Sequence, residues 1–138
     1  MNRSLQLLGM AKKAGFLAVG AESASAAARL GKAAAVISAC DASEGSIRRA
    51  RADSIDCGAE FIVVPFTKFE LGNVTGRGSP GTLAITDAGL ASAFLGKLAE
   101  SDPERYSQAA EKLAKTAEQL KKRKAAGVRK TGKGRTAI

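Results

Sequence analysis

FLAVGAESASAAARLGKAAAVISACDAS, residues 16–43, carries the pattern on which the rest of the chain is built. Phe16-Leu17-Ala18-Val19 is a continuous apolar run, the pattern of a strand covered on both faces. Gly20 closes it. Ala21 to Leu30 is alanine-rich and long enough for about three helical turns. Gly31 stands where a helix end takes a residue at positive φ. Ala33 to Cys40 is apolar again, about the length of a buried strand, and gives way to a polar turn at Asp41. Two strands joined by a crossover helix form a βαβ unit, the predicted scaffold.

Upstream, Asn2 to Ala14 predicts a first helix, with Asn2 or Ser4 as its cap and Leu7, Met10, Ala11 and Ala14 on its inward face. Lys12 and Lys13 favour its C-terminal dipole, and Gly15 ends it. Downstream, Asp41-Ala42-Ser43-Glu44 has the D-x-x-E spacing of a capping box. The helix it opens runs to about Ile55 or Cys57, with Ile47, Ala50 and Ser54 inward and Arg48, Arg49 and Arg51 toward solvent. Gly58 stops it. Phe61 to Val64 reads as a strand ended by Pro65. Thr67 to Thr75 reads as a short helix capped by Thr67 with Glu70. A loop from Gly76 to Gly81, a strand from Thr82 to Thr86 and a helix from Asp87 to about Leu98 complete a domain over 1–100. This order predicts an α/β fold, a four-stranded sheet with helices on both faces.

Pro103 at a first helical position restarts a helical extension over 101–126, whose narrow stripe is Tyr106, Ala109, Ala110, Leu113, Ala117 and Leu120. Residues 127–138 form a basic tail interrupted by Gly127, Gly132 and Gly134, a composition expected to be disordered when free.

The chain carries a formal charge of +9 with no histidine, and its pI is near 9.9. The charge is unevenly placed. Residues 1–100 hold 11 Lys/Arg against 9 Asp/Glu, and residues 101–138 hold 11 against 4. A near-neutral fold with a cationic end points to a polyanionic partner, nucleic acid first. The tail cations are Lys121, Lys122, Arg123, Lys124, Arg129, Lys130, Lys133 and Arg135. Each phosphate they neutralise releases condensed counterions, which makes such binding salt-sensitive and indifferent to sequence.

Other chemistries find little support. Cys40 and Cys57 lie 17 residues apart, without zinc or CxxC spacing, and are expected to be free, buried thiols of a cytoplasmic protein. No metal or cofactor is expected. No uncharged run approaches the ~20 residues of a membrane span. Gly76-Arg77-Gly78-Ser79-Pro80-Gly81 spells G-x-G-x-x-G, but a helix precedes it and a strand follows, the reverse of the dinucleotide arrangement. Without histidine, and with Asp41, Asp56 and Asp87 at expected helix boundaries, the chain is not expected to be an enzyme.

Gly20 through Asp41, GAESASAAARLGKAAAVISACD, resembles the core motif of the kink-turn RNA-binding ribosomal protein family (large-subunit proteins seven-Ae and thirty-e), and within it the small bacterial YlxQ-like branch. Gly9 to Gly15, Asp41-Ala42-Ser43, Lys68 with Glu70-Leu71-Gly72, and Ala84 to Gly89 extend the match in order over about residues 3–98. The resemblance implies a three-layer α-β-α sandwich around a four-stranded mixed sheet. It also implies a non-catalytic RNA-binding protein, with ribosomal or other structured RNA, and with it the ribosome or a protein, as partner. The family holds RNA at the turn after the first strand through Gly-x-Asn-Glu-x-x-Lys. Here the glycine is Gly20, followed by Ala21, and the other three positions are Glu22, Ser23 and Ala26. Glu22 accepts where asparagine also donates, and Ala26 makes no phosphate contact. The family's later apolar loop corresponds to the polar Arg77–Gly81. The implied RNA-binding residues are therefore Lys12, Lys13, Gly20, Ala21, Glu22, Ser23, Lys32, Lys68, Arg77 and Gly78, with the tail as an electrostatic grip. Two alternative roles share this fold: a protein-interaction module whose alanine-faced helix 103–126 docks a partner, and a substrate-recognition domain for an RNA-modifying enzyme.

Overall fold

The elements follow in the order α1 (Arg3–Ala14), β1 (Leu17–Val19), α2 (Ala21–Arg29), β2 (Ala35–Ser38), α3 (Glu44–Cys57), β3 (Glu60–Val63), α4 (Lys68–Thr75), β4 (Thr82–Ile85), α5 (Ala88–Ser101) and α6 (Pro103–Ala137). The computed structural model describes the backbone of residues 2–137 and the side chains of residues 2–122. The strands form one mixed sheet in the order β1-β4-β2-β3. β4 runs antiparallel to β1, with Ala18 opposite Ala84, and antiparallel to β2, with Val36 opposite Ala84. β2 and β3 are parallel, with Val36 opposite Phe61.

Alternation along the strands sorts the side chains into two layers. Ala35, Ile37, Ile62, Val64, Leu83 and Ile85 join Leu5, Leu8, Leu71, Phe94, Leu95 and Leu98 from α1, α4 and α5. Val36 and Ala84 join Ala24, Ala27 and Ala28 of α2 and Ala50 of α3. Large aliphatics thus fill one side and alanines the other. Fully burying a leucine or phenylalanine stabilises by about 1.5–3 kcal/mol, so the first side carries most of the apolar free energy. The thin alanine layer is pinned by polar contacts. Buried Ser25 donates to Asp53 Oδ2, and Arg49 Nε donates to Ser25 Oγ at 3.2 Å, tying α2 to α3. Arg51 lies over the Phe61 ring, 5.2 Å from its centroid.

Five expectations are corrected. Cys40 is exposed and Cys57 half-buried, where buried thiols are expected, because Cys40 lies just past β2 and Cys57 ends α3, not inside the apolar layers. β1 is an edge strand, half-buried along its length, and not a strand covered on both faces. The predicted βαβ unit is split: β1 and β2 point the same way, but β4 lies between them. The inward face of α1 is Ser4, Leu5, Leu8 and Ala11, which leaves Met10 58% exposed. The apolar residues of α1 permit two overlapping helical stripes, and the layer against α5 selects the one through Leu8. The D-x-x-E box at Asp41 does not form. Ser43 caps α3 by accepting from Ser46 N–H, and Asp41 is released for another role.

The remaining boundaries follow local chemistry. Asn2 caps α1, accepting from Ser4 N–H at 2.8 Å, and Gly15 closes it in the left-handed region. Thr67 and Glu70 form the expected capping box of α4, and Asp87 caps α5. α6 belongs to the core. Tyr106, Ala109 and Leu113 are buried in the larger cluster, and the Tyr106 hydroxyl donates to Val63 O at 3.2 Å. The alanine stripe is therefore covered by the chain's own fold from Tyr106 to Leu113. α6 is assigned over Pro103–Ala137, and the tail expected over 127–138 lies outside the residues whose side chains are described. The tail cations from Arg123 onward have side chains outside the described residues. Among the described residues, no helix is long and apolar enough to cross a membrane.

Candidate nucleic-acid interface

At one end of the sheet, β1, β2 and β3 finish and β4 begins. That end collects the Gly20 turn, the Ala39–Ser43 connection, the Pro65–Lys68 connection and the close of the Gly76–Gly81 loop. Backbone hydrogen bonds fasten them together. Gly20 N–H donates to Thr82 O at 2.9 Å, Ala39 N–H to Gly81 O at 2.9 Å, and Cys40 N–H to Phe66 O at 2.9 Å. Helices α2, α3 and α4 all start here, so three positive dipole ends converge on one surface.

The three starts differ in what occupies them. Ser43 caps α3, and Thr67 with Glu70 caps α4. Asp41 adds a second partner to α4: its Oδ1 accepts from Lys68 N–H at 2.8 Å across 27 residues of sequence. The N-terminus of α2 has no side-chain cap. Gly20 precedes it at φ 99° and ψ 157°, a conformation essentially restricted to glycine. The first-turn N–H groups of α2 therefore keep their donor capacity, with Ala21 half-buried and Glu22 and Ser23 exposed beside them.

Gly72 allows the loop to reach this surface. A side chain on it would begin 1.8 Å from Gly78 O, so the loop lies directly on α4 only because Gly72 has none. Gly78 itself sits at φ 22° and is exposed with Arg77. A side chain added at Gly81 would meet Ala42 and the Lys68 stem at ordinary contact distance.

Among the implied RNA-binding residues, the fold brings together Gly20, Ala21, Glu22, Ser23, Lys68, Arg77 and Gly78. Lys32 lies elsewhere, beyond the end of α2, where with Glu60 and Thr86 it lines a cleft at the opposite end of the sheet. Lys12 and Lys13 close α1 and line a groove with Asn73–Gly76. Lys121, the first tail cation, is beside Asp87–Gly89, again opposite the Gly20 turn.

The electrostatics of the Gly20 end are mixed. Asp41 and Glu70 are engaged by α4 backbone amides, which leaves Glu22 and Glu44 facing solvent against Lys68 and Arg77. The surface offers backbone donors and two cations, with an acceptor at Glu22 that repels phosphate. Asp41 and Gly72 have structural roles that the sequence did not reveal. The long-range bond to Lys68 has no local signature; a glycine inside a helical pattern was the available signal for Gly72.

No protein-family model and no curated protein matches the chain. The fold recurs among solved structures, these two among them. One is a protein of unknown function from Bacillus halodurans, with a TM-score of 0.64 and 24% identity, covering 70% of this chain and 97% of that one. The other is the 15.5kD RNA binding protein of Giardia lamblia, with a TM-score of 0.55 and 22% identity, covering 67% of this chain and 82% of that one. The chain thus has the α/β sandwich fold found in a structural neighbour that is an RNA-binding protein.

Proposed function

We propose that this chain is a non-catalytic, cytoplasmic RNA-binding protein of the YlxQ-like kind, acting on ribosomal or other structured RNA. One observation carries the reading: the uncapped N-terminus of α2 behind Gly20 and the cationic Arg77–Gly81 loop meet on one surface. Backbone donors at a helix start suit phosphate and the edges of unstacked bases. The likeness to the Giardia RNA binding protein supports RNA as the partner, without naming a surface. The tail supplies affinity that falls steeply with salt.

The turn holds Glu22, Ser23 and Ala26 where kink-turn readers of this fold carry asparagine, glutamate and lysine. The native chain is therefore a weak discriminator of kink-turns. The test compares kink-turn RNA, plain duplex and single strands at several salt concentrations. The proteins are the full chain, a variant with the eight tail cations changed to glutamine, and the triple variant Glu22→Asn, Ser23→Glu, Ala26→Lys. Tail neutralisation is expected to flatten the salt slope on every RNA. The triple variant is expected to gain about tenfold or more on the kink-turn alone, the scale of one or two charge-assisted hydrogen bonds. RNA binding that vanishes entirely with the tail cations, and a triple variant with no preference, would remove the sandwich from the reading.

A further inference from the structure

The groove between α1 and α4 lies apart from the Gly20 turn and encloses about 660 Å³. Leu5, Gly9, Met10 and Val74 contribute apolar surface, and among the described residues Lys12 and Lys13 are its only charged lining. Val74 O lies 3.6 Å from where a side chain on Gly9 would begin, so the two helices approach closely beneath an open trough. Met10 is 58% exposed. A thioether adapts its shape to whichever apolar side chain meets it.

Charge and helix polarity select the occupant. Both helices end here, α1 at Ala14 and α4 at Thr75, so their C-terminal carbonyls border the trough. Carbonyl ends repel phosphate, and among the described residues no aromatic ring lines the trough to stack a base. The chain's own tail is cationic and is repelled by Lys12 and Lys13. A helix with an aliphatic face and an acidic first turn satisfies every feature. Its side chains cover Met10 and Val74, its carboxylates reach the two lysines, and its N-terminal amides face the carbonyl ends.

We propose that the α1–α4 groove docks an acidic amphipathic helix of a partner protein. The proposal stands independently of RNA binding, because it uses a different surface. The test titrates the full chain, labelled with ¹⁵N, with a synthetic helical peptide bearing leucines along one face and glutamates elsewhere. A lysine-for-glutamate peptide and an oligouridine serve as comparison probes. Saturable amide shifts are expected at Gln6, Gly9, Met10 and Asn73–Gly76, with affinity reduced about tenfold by Met10→Gln and by Lys12→Glu with Lys13→Glu. These exposed or half-buried positions leave the amide spectrum dispersed, so loss of binding is separable from loss of fold.

Four outcomes overturn the proposal. They are no saturation at roughly millimolar glutamate peptide, equal binding of the lysine peptide, groove shifts with oligouridine alone, and groove shifts that follow protein concentration because a second copy occupies the trough. RNA affinity unchanged in Met10→Gln keeps this proposal and the RNA reading distinguishable.

Discussion

Gly20 holds the most restrictive conformation at the candidate interface. Its φ of 99° with ψ of 157° ends β1, sends its N–H to Thr82 O, and starts α2 without a side-chain cap. A side chain there would meet no atom within 4 Å, so the cost of Gly20→Ala is purely one of backbone strain. That strain is about 1–3 kcal/mol. Chemical denaturation of Gly20→Ala should show a loss in this range with an unchanged m-value; an unperturbed midpoint would mean the turn relaxes freely. Glu22, two residues on, illustrates the converse. Its side chain is exposed, so changing it affects the ligand before it affects stability.

At the scale of elements, α4 is held from two directions. Thr67 and Glu70 cap it locally, and Asp41 caps it from the β2–α3 connection. This second bond joins the segment bearing Lys68 to the end of the sheet. Asp41→Ala removes it at about 1 kcal/mol, the usual worth of a capping side chain, whereas Asp41→Asn keeps an acceptor and most of that stability. Hydrogen exchange should accelerate at Lys68 N–H in Asp41→Ala and much less in Asp41→Asn. Equal rates in both variants would reassign the bond to charge alone. Gly15, Gly58, Thr67 and Asp87 were legible as element boundaries because each acts within one helical turn. Asp41 was not, because its partner is 27 residues away and Ser43 competes for the local cap. The inward face of α1 was illegible for a related reason. Leu5, Leu7 and Leu8 crowd one turn, and only the layer it packs against distinguishes the stripes.

Across the whole molecule, the implied cations divide between two ends. Lys68 and Arg77 belong to the Gly20 surface, while Lys32 and the start of the tail lie at the opposite end. An RNA gripped at both must span the length of the sheet. α6 completes the core through Tyr106, whose hydroxyl bonds to Val63 O. Burial is the main cause that raises the Tyr106 pKa above 10.0; nearby Arg105 acts against it. The neutral phenol is thus favoured in the fold. Its contribution is fully present below pH 10.0 and is lost as pH rises through the higher folded value. Tyr106→Phe should cost about 1 kcal/mol at neutral pH, the net worth of a hydrogen bond. It should also flatten the alkaline fall in stability measured by denaturation between neutral pH and the phenol range. An undiminished alkaline fall in Tyr106→Phe would assign it to other groups.

The sequence alone determined the order of elements, most of their ends and the imbalance of charge between fold and tail. These depend on apolar runs, glycine stops and capping pairs, whose physics acts over a few residues. Only the tertiary structure decided that β4 enters between β1 and β2, leaving β1 at the edge, because strand order depends on which faces can be buried together. It decided in the same way that the first part of α6 packs into the core, since Tyr106 and Leu113 find their partners across the fold. It also separated Lys12, Lys13 and Lys32 from the Gly20 turn, because the direction in which each helix leaves the sheet places its terminal cations.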